Sequence, residues 1–204
     1  MSAKGPCQRT LELGLRAPDG ELHIADVITE RGTVLEFQHS PISSMERASR
    51  ENFYKRLIWV VNGLRVDRDL ITFRKALSAA MLISTDSLKL QVPIKACSIL
   101  ERWDGSICSV YLDFGEAKFG LLNGPLLWRL SFVRQKSFVI AIPVSRRSFI
   151  EHHRDNVPLR IYRLPPAKTL IPRPRPTPSR SQPRPRAISK SEAYLRRFDR
   201  YLLK

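Results

Sequence analysis

Thr33-Val34-Leu35-Glu36-Phe37-Gln38-His39 leads into Ser40-Pro41-Ile42-Ser43, and Leu57-Ile58-Trp59-Val60-Val61 follows after a polar stretch. In the first segment Leu35 and Phe37 share one face while Val34, Glu36 and Gln38 share the other, the period-two pattern of a strand. Pro41 ends that strand, and Ser43 with Glu46 makes a capping box that opens a helix expected to run to about Arg56. The pairs Glu46/Arg50, Arg47/Glu51 and Glu51/Lys55 are spaced to support an exposed helix face, each by about 0.2 to 0.5 kcal/mol. The second apolar run is short and continuous, which predicts a buried strand halted by Asn62-Gly63.

Toward the N-terminus, Leu11, Leu13 and Leu15 alternate with polar residues, Pro18-Asp19-Gly20 supplies a turn, and Leu22, Ile24, Asp26 and Ile28 alternate again. A further turn at Glu30-Arg31-Gly32 joins this hairpin to the Glu36 strand, so the expected order is βββαβ with antiparallel strands before the helix. Toward the C-terminus, Asp67 to Asp86 is read as a second helix with Leu70, Phe73, Leu77 and Met81 inward. Ile94 to Trp103, Ile107 to Phe114, Leu126 to Phe132 and Phe138 to Ile142 are read as strands, closed by a helix from Ser145. The organisation expected is a core over 1–90, an additional β-rich region with its closing helix over 91–164, and a tail over 165–204: an α+β protein.

The tail decides where the charge lies. The chain of 204 residues has 35 Lys+Arg against 19 Asp+Glu, a net of +16. Residues 165–204 hold 11 Lys/Arg and 2 Asp/Glu, a net of +9, which leaves 24 against 17, or +7, for the rest. Ile171–Arg186 alternates proline with arginine and has almost nothing to pack, so a disordered basic arm is expected, with a possible short helix over Ser191–Leu203. Such an excess favours a polyanionic partner. At 43% hydrophobic residues the chain can bury a core.

Several classes are excluded. No window approaches the roughly 18 apolar residues of a membrane span, and no secretory signal opens the chain, so a soluble cytoplasmic protein without membrane contact is expected. Cys7, Cys97 and Cys108 form no CxxC, which argues for a reducing compartment and against structural zinc. Neither GxxxxGK, GxSxG nor HExxH is present. Tyr54 and Trp59 are read as core, and His152-His153 as surface.

The chemistry is concentrated in three residues. Glu36 and Gln38 project from one side of a strand, and Asp26 lies on the neighbouring strand, about 4.8 Å away. Paired carboxylates repel unless a cation lies between them, and a hard divalent ion such as Mg²⁺ suits oxygen ligands. Solvated side chains on a half-exposed sheet face would show the same pattern.

The segments Ala25-Asp26-Val27, Val34 to Ser43, Arg50-Glu51-Asn52-Phe53-Tyr54 and Ile58-Trp59-Val60-Val61 together closely resemble the competence protein CoiA-like family, a branch of the restriction-endonuclease-like nucleases with a D…ExK motif. The likeness is dense over residues 22–63 and weaker at Val110 to Gly115, Leu127 to Leu130 and Pro143 to Arg146. It implies an αβββαβ nuclease-like core, here without its first helix, since only nine residues precede the first strand. It implies that Asp26 and Glu36 bind Mg²⁺ or Mn²⁺ with the Phe37 carbonyl, and that Gln38, where many relatives in the superfamily have lysine, orients a water. The expected activity is metal-dependent hydrolysis of DNA phosphodiester bonds, in DNA uptake or recombination. Ser40, Arg47, Arg50 and Lys55, with Arg173, Arg175, Arg184 and Arg186 of the tail, are the expected nucleic-acid contacts. The runner-up is a catalytically silent nucleic-acid-binding module of the same fold, and a scaffold whose Pro/Arg tract docks on a protein is a third reading.

Overall fold

The computed structural model describes residues 14–16 and 22–163, apart from 85, 121, 123, 134 and 135. It is a mixed α+β architecture. β1 (Gly14–Arg16) and β2 (Leu22–Ile24) form an antiparallel ribbon of their own. The other strands are β3 (Val27–Ile28), β4 (Val34–Gln38), β5 (Leu57–Asn62), β6 (Met81–Ser84), β7 (Lys89–Pro93), β8 (Ser109–Asp113), β9 (Leu126–Phe132) and β10 (Phe138–Ser145), and they make one eight-stranded sheet in the order β3-β4-β5-β8-β9-β10-β7-β6. β4, β5 and β8 run parallel, and every other neighbour is antiparallel. Strands from before and after residue 90 are interleaved, β8 lying between β5 and β9.

The parallel pairing of β4 with β5 requires a crossover, and α1 (Ser44–Phe53) supplies it. Its start is the expected one: the Ser43 hydroxyl accepts the Glu46 N–H at 3.0 Å. α2 (Asp67–Ser78) and α3 (Ser98–Trp103) cover the same face of the sheet, where Trp59, Phe73, Phe114, Phe119 and Trp128 form the main core. Phe73 stacks on Phe114 at 5.0 Å and meets Trp128 edge-on at 5.5 Å. Gly63 is dictated by that cluster as much as by the turn, because a Cβ there would lie 2.5 Å from the Phe114 ring. On the opposite face Leu35, Val60, Tyr111, Leu127 and Val144 pack under Phe149 of α4 (Arg146–Asp155). β5 is therefore covered on both sides, which explains its unbroken apolar run.

Four sequence expectations are corrected. The Leu22–Ile28 strand breaks at Ala25-Asp26, where the chain leaves β1 and turns to pair with β4. The helix after the motif ends at Phe53, three residues early, so that Tyr54 can turn into the core. The second helix stops at Ser78: Met81–Ser84 alternates exposed with half-buried residues and pairs with β7, so tertiary pairing overrides helical propensity. Ile94–Trp103 is a short 3-10 turn over Ile94–Ala96 followed by α3, one of the short apolar runs whose period alone cannot separate helix from strand. Among the described residues no helix is long and apolar enough to cross a membrane. The tail lies outside the described residues.

α4 also corrects the reading of its histidines as surface groups. His152 Nδ1 lies 2.7 Å from the Val157 carbonyl, and His153 is half-buried, with Phe149 at 4.5 Å and His152 at 4.7 Å between ring centres. Burial, with His152 and Arg31 adding like charge, lowers the His153 pKa from 6.5 to about 4. Between those values the unfolded chain binds a proton that the native protein refuses, so the stabilisation is complete above pH 6.5 and is lost as pH falls toward 4. Thermal unfolding across this window should fall more steeply with pH for the wild type than for His153→Gln; parallel curves would contradict the assignment.

Candidate functional site

β3 contributes only two residues, Val27 paired with Leu35 and Ile28 with Val34, so backbone pairing on that edge of β4 ends just before Glu36. Asp26 replaces it. Its Oδ2 accepts the Phe37 N–H at 2.7 Å, which fixes an exposed carboxylate against the Glu36-Phe37 peptide. Glu36 projects to the α1 face and is 3% exposed. Its Oε2 accepts a charge-assisted hydrogen bond from Arg50 Nη1 at 2.8 Å, and Arg50 Nη2 reaches Glu46 Oε1 at 3.0 Å. Glu36 Oε1 is buried and has no hydrogen-bond partner among the described residues.

Burial pushes the Glu36 carboxyl up to about 7; Arg50 opposes the shift, and the charges of Asp26 and Glu46 add to it. Burial and then Glu36 also raise the Tyr54 phenol, with Arg50 opposing and Asp26 adding, so Asp26, Glu36, Arg50 and Tyr54 share one field. A buried carboxyl beside a second carboxylate is poorly matched as an anion, so it holds its proton unusually tightly and would gain from any cation brought next to it. Among the described residues no group of three or more His, Cys, Asp or Glu side chains converges on a metal-sized space. The donor set is two carboxylates, which is the protein complement Mg²⁺ commonly takes when water and phosphate fill the remaining positions.

Gln38, the last residue of β4, is half-buried, and its Nε2 donates to the Ser40 carbonyl at 2.7 Å. That bond orients the amide at the mouth of the strand. Ser40 and Lys55 are exposed, as contacts with a polyanion require, and His39 is exposed too. Arg173, Arg175, Arg184 and Arg186 lie outside the described residues.

Arg47 is the correction. It is 8% exposed, its Nη1 and Nη2 donate to the carbonyls of Arg102 and Asp104 at 2.8 Å each, and its guanidinium lies 5.6 Å from the Trp103 ring. These bonds tie α1 to the end of α3 and do not leave it facing solvent. Glu51 is buried beside it: Oε1 accepts the Trp59 indole N–H at 3.1 Å and the Ser106 hydroxyl at 2.6 Å, and Oε2 accepts the Ile107 N–H at 3.0 Å. Of the pairs at four-residue spacing, Arg47/Glu51 thus lies on the inward face of α1, whereas Glu46 and Met45 on the same helix are exposed and Lys55 lies beyond its end. Spacing locates such pairs on one face without saying which way that face points.

Sequence reasoning also missed Asp69 and Arg102. Asp69, 1% exposed in the first turn of α2, pairs with Arg102 and accepts the Ser98 hydroxyl at 3.0 Å. The available signal was the charged run Arg65 to Asp69 directly after a buried parallel strand.

No family model, curated protein or solved structure matches this chain.

The Glu51 network makes a definite stability prediction. Glu51→Ala leaves the Trp59, Ser106 and Ile107 donors and the Arg47 charge uncompensated, and should destabilise the protein by about 3 to 5 kcal/mol in denaturant unfolding. Lys55→Ala should stay within about 0.5 kcal/mol. A Glu51→Ala loss no larger than that of Lys55→Ala would show that the network contributes nothing.

Proposed function

We propose that this protein is a metal-dependent nuclease-like protein acting on DNA phosphodiester bonds, with Asp26 and Glu36 as the residues that hold Mg²⁺ or Mn²⁺, on a core of the restriction-endonuclease-like kind. The observation that carries the reading is Glu36: a carboxylate 3% exposed, with one oxygen lacking a hydrogen-bond partner among the described residues, in the field of a second carboxylate fixed on the sheet edge. A solvated sheet face does not explain a buried acid. Its support beyond the site is the resemblance of residues 22–63, and a role in DNA uptake or recombination rests on that resemblance alone.

A divalent ion held there would supply Lewis-acid activation of water and of the phosphodiester. The chain's own residues do the remaining work. Asp26 is oriented by the Phe37 N–H before any ligand arrives. Arg50 offsets part of the negative charge around Glu36, which limits repulsion between the site and an incoming phosphate. The Gln38 amide is held by the Ser40 carbonyl; it would position a water by hydrogen bonding, but unlike lysine it brings no charge and transfers no proton. Lys55 and the basic tail raise the local concentration of nucleic acid.

One observation favours the catalytically silent binding module: Arg50 already neutralises one oxygen of Glu36, so the acid has a structural partner without metal. Cleavage separates the two. Wild-type protein should nick plasmid or cut single-stranded DNA only with Mg²⁺ or Mn²⁺, and Glu36→Gln should reduce the rate by about 100-fold or more. Equal activity in the variant, or no cleavage of any DNA with either metal, would overturn the nuclease reading.

A further inference from the structure

Gln38 and Asn62 end the parallel strands β4 and β5, and they open onto a cleft of about 120 Å³. Ser40, Arg65, Arg102 and Trp103 also line it. The crevice beyond the carboxyl ends of parallel strands is where open sheets place their ligands. Two of the lining residues are arginines and none is acidic. Arg102 is held from two directions, its guanidinium by the buried Asp69 and its carbonyl by Arg47 Nη1 at 2.8 Å, yet its side chain remains 40% exposed. Arg65 is exposed and makes no ion pair among the described residues.

Pockets for free small ligands usually span about 300 to 1,000 Å³. A cleft of about 120 Å³ is sized instead for one group of a larger molecule. Two guanidinium groups, one of them braced by a carboxylate, select a phosphate. Gln38 is shared between this cleft and the Asp26/Glu36 site, and it follows Glu36 by two residues, about 7 Å along β4. We infer that the cleft binds a backbone phosphate of a nucleic-acid strand next to the phosphate presented to Asp26 and Glu36, with Arg65 and Arg102 as the gripping residues. The inference rests on the proposed action of that site on a polynucleotide, and it assigns the direction in which the strand continues, from the sheet edge across Gln38 toward α3.

The test is binding of a fluorescently labelled single-stranded oligodeoxynucleotide by anisotropy, in EDTA, over a series of salt concentrations. Arg65→Ala, a change at an exposed side chain, should weaken binding roughly fivefold and reduce the slope of log K against log salt by about 0.7, the loss of one phosphate contact. Arg147→Ala, on α4 at the opposite face of the sheet, should do neither. Arg102→Lys keeps a cation for Asp69 and should lower affinity in the same direction as Arg65→Ala. An unchanged slope in Arg65→Ala, an equal loss in Arg147→Ala, or no binding by the wild type overturns the inference. EDTA removes the metal, so the outcomes are separable: cleavage without an Arg65 effect defeats this cleft and leaves the nuclease reading standing, and an Arg65 effect without cleavage does the reverse.

Discussion

Arg47 and Glu51 face inward from α1, and the geometry of the candidate site depends on that charged packing. Glu51 accepts from β5 through Trp59 and from the loop before β8 through Ser106 and Ile107, while Arg47 takes two carbonyls at the end of α3. A helix fixed by directional bonds has one rotational setting, whereas an apolar face can slide among several. That setting turns Arg50 toward Glu36 and Tyr54 into the core. The same Arg47 side chain donates to the Arg102 carbonyl, so this buried pair also steadies the backbone of a residue that lines the cleft with Gln38.

The site then follows from a sheet that ends early. Because β3 stops after two residues, an acceptor is needed for the Phe37 N–H, and the Asp26 carboxylate meets that need while standing beside Glu36. Glu36 is buried without enough hydrogen bonds to match its charge, and its raised pKa states the cost of that arrangement. Arg50 removes part of the cost and leaves one oxygen without a hydrogen-bond partner among the described residues. A fully compensated acid would be structural; a partly compensated one next to a second carboxylate can take up a cation.

Much of this was legible in the sequence. The alternation at Val34–Gln38, the Ser43 cap and the apolar run of β5 gave the βαβ unit directly, because each rests on local geometry. The placement of Glu36 and Gln38 on one face followed from the same period. What was not legible depends on contacts distant in sequence. The inward turn of Arg47 and Glu51 is settled by Trp59, Arg102 and Ser106, and the strand character of Met81–Ser84 by pairing with β7. The Asp69–Arg102 pair joins residues 33 positions apart, and no periodicity reports such a meeting. The basic cleft it braces was invisible for the same reason.

The proposed nuclease chemistry requires that Asp26 and Glu36 together hold a divalent cation. Isothermal titration of Mn²⁺ into the wild type, Asp26→Asn and Glu36→Gln, with circular dichroism to verify folding, addresses it without reference to any substrate. Wild-type protein should bind one Mn²⁺ per chain saturably, and both variants should lose that binding. Absence of binding at millimolar metal, or undiminished binding in folded Asp26→Asn and Glu36→Gln, would contradict it.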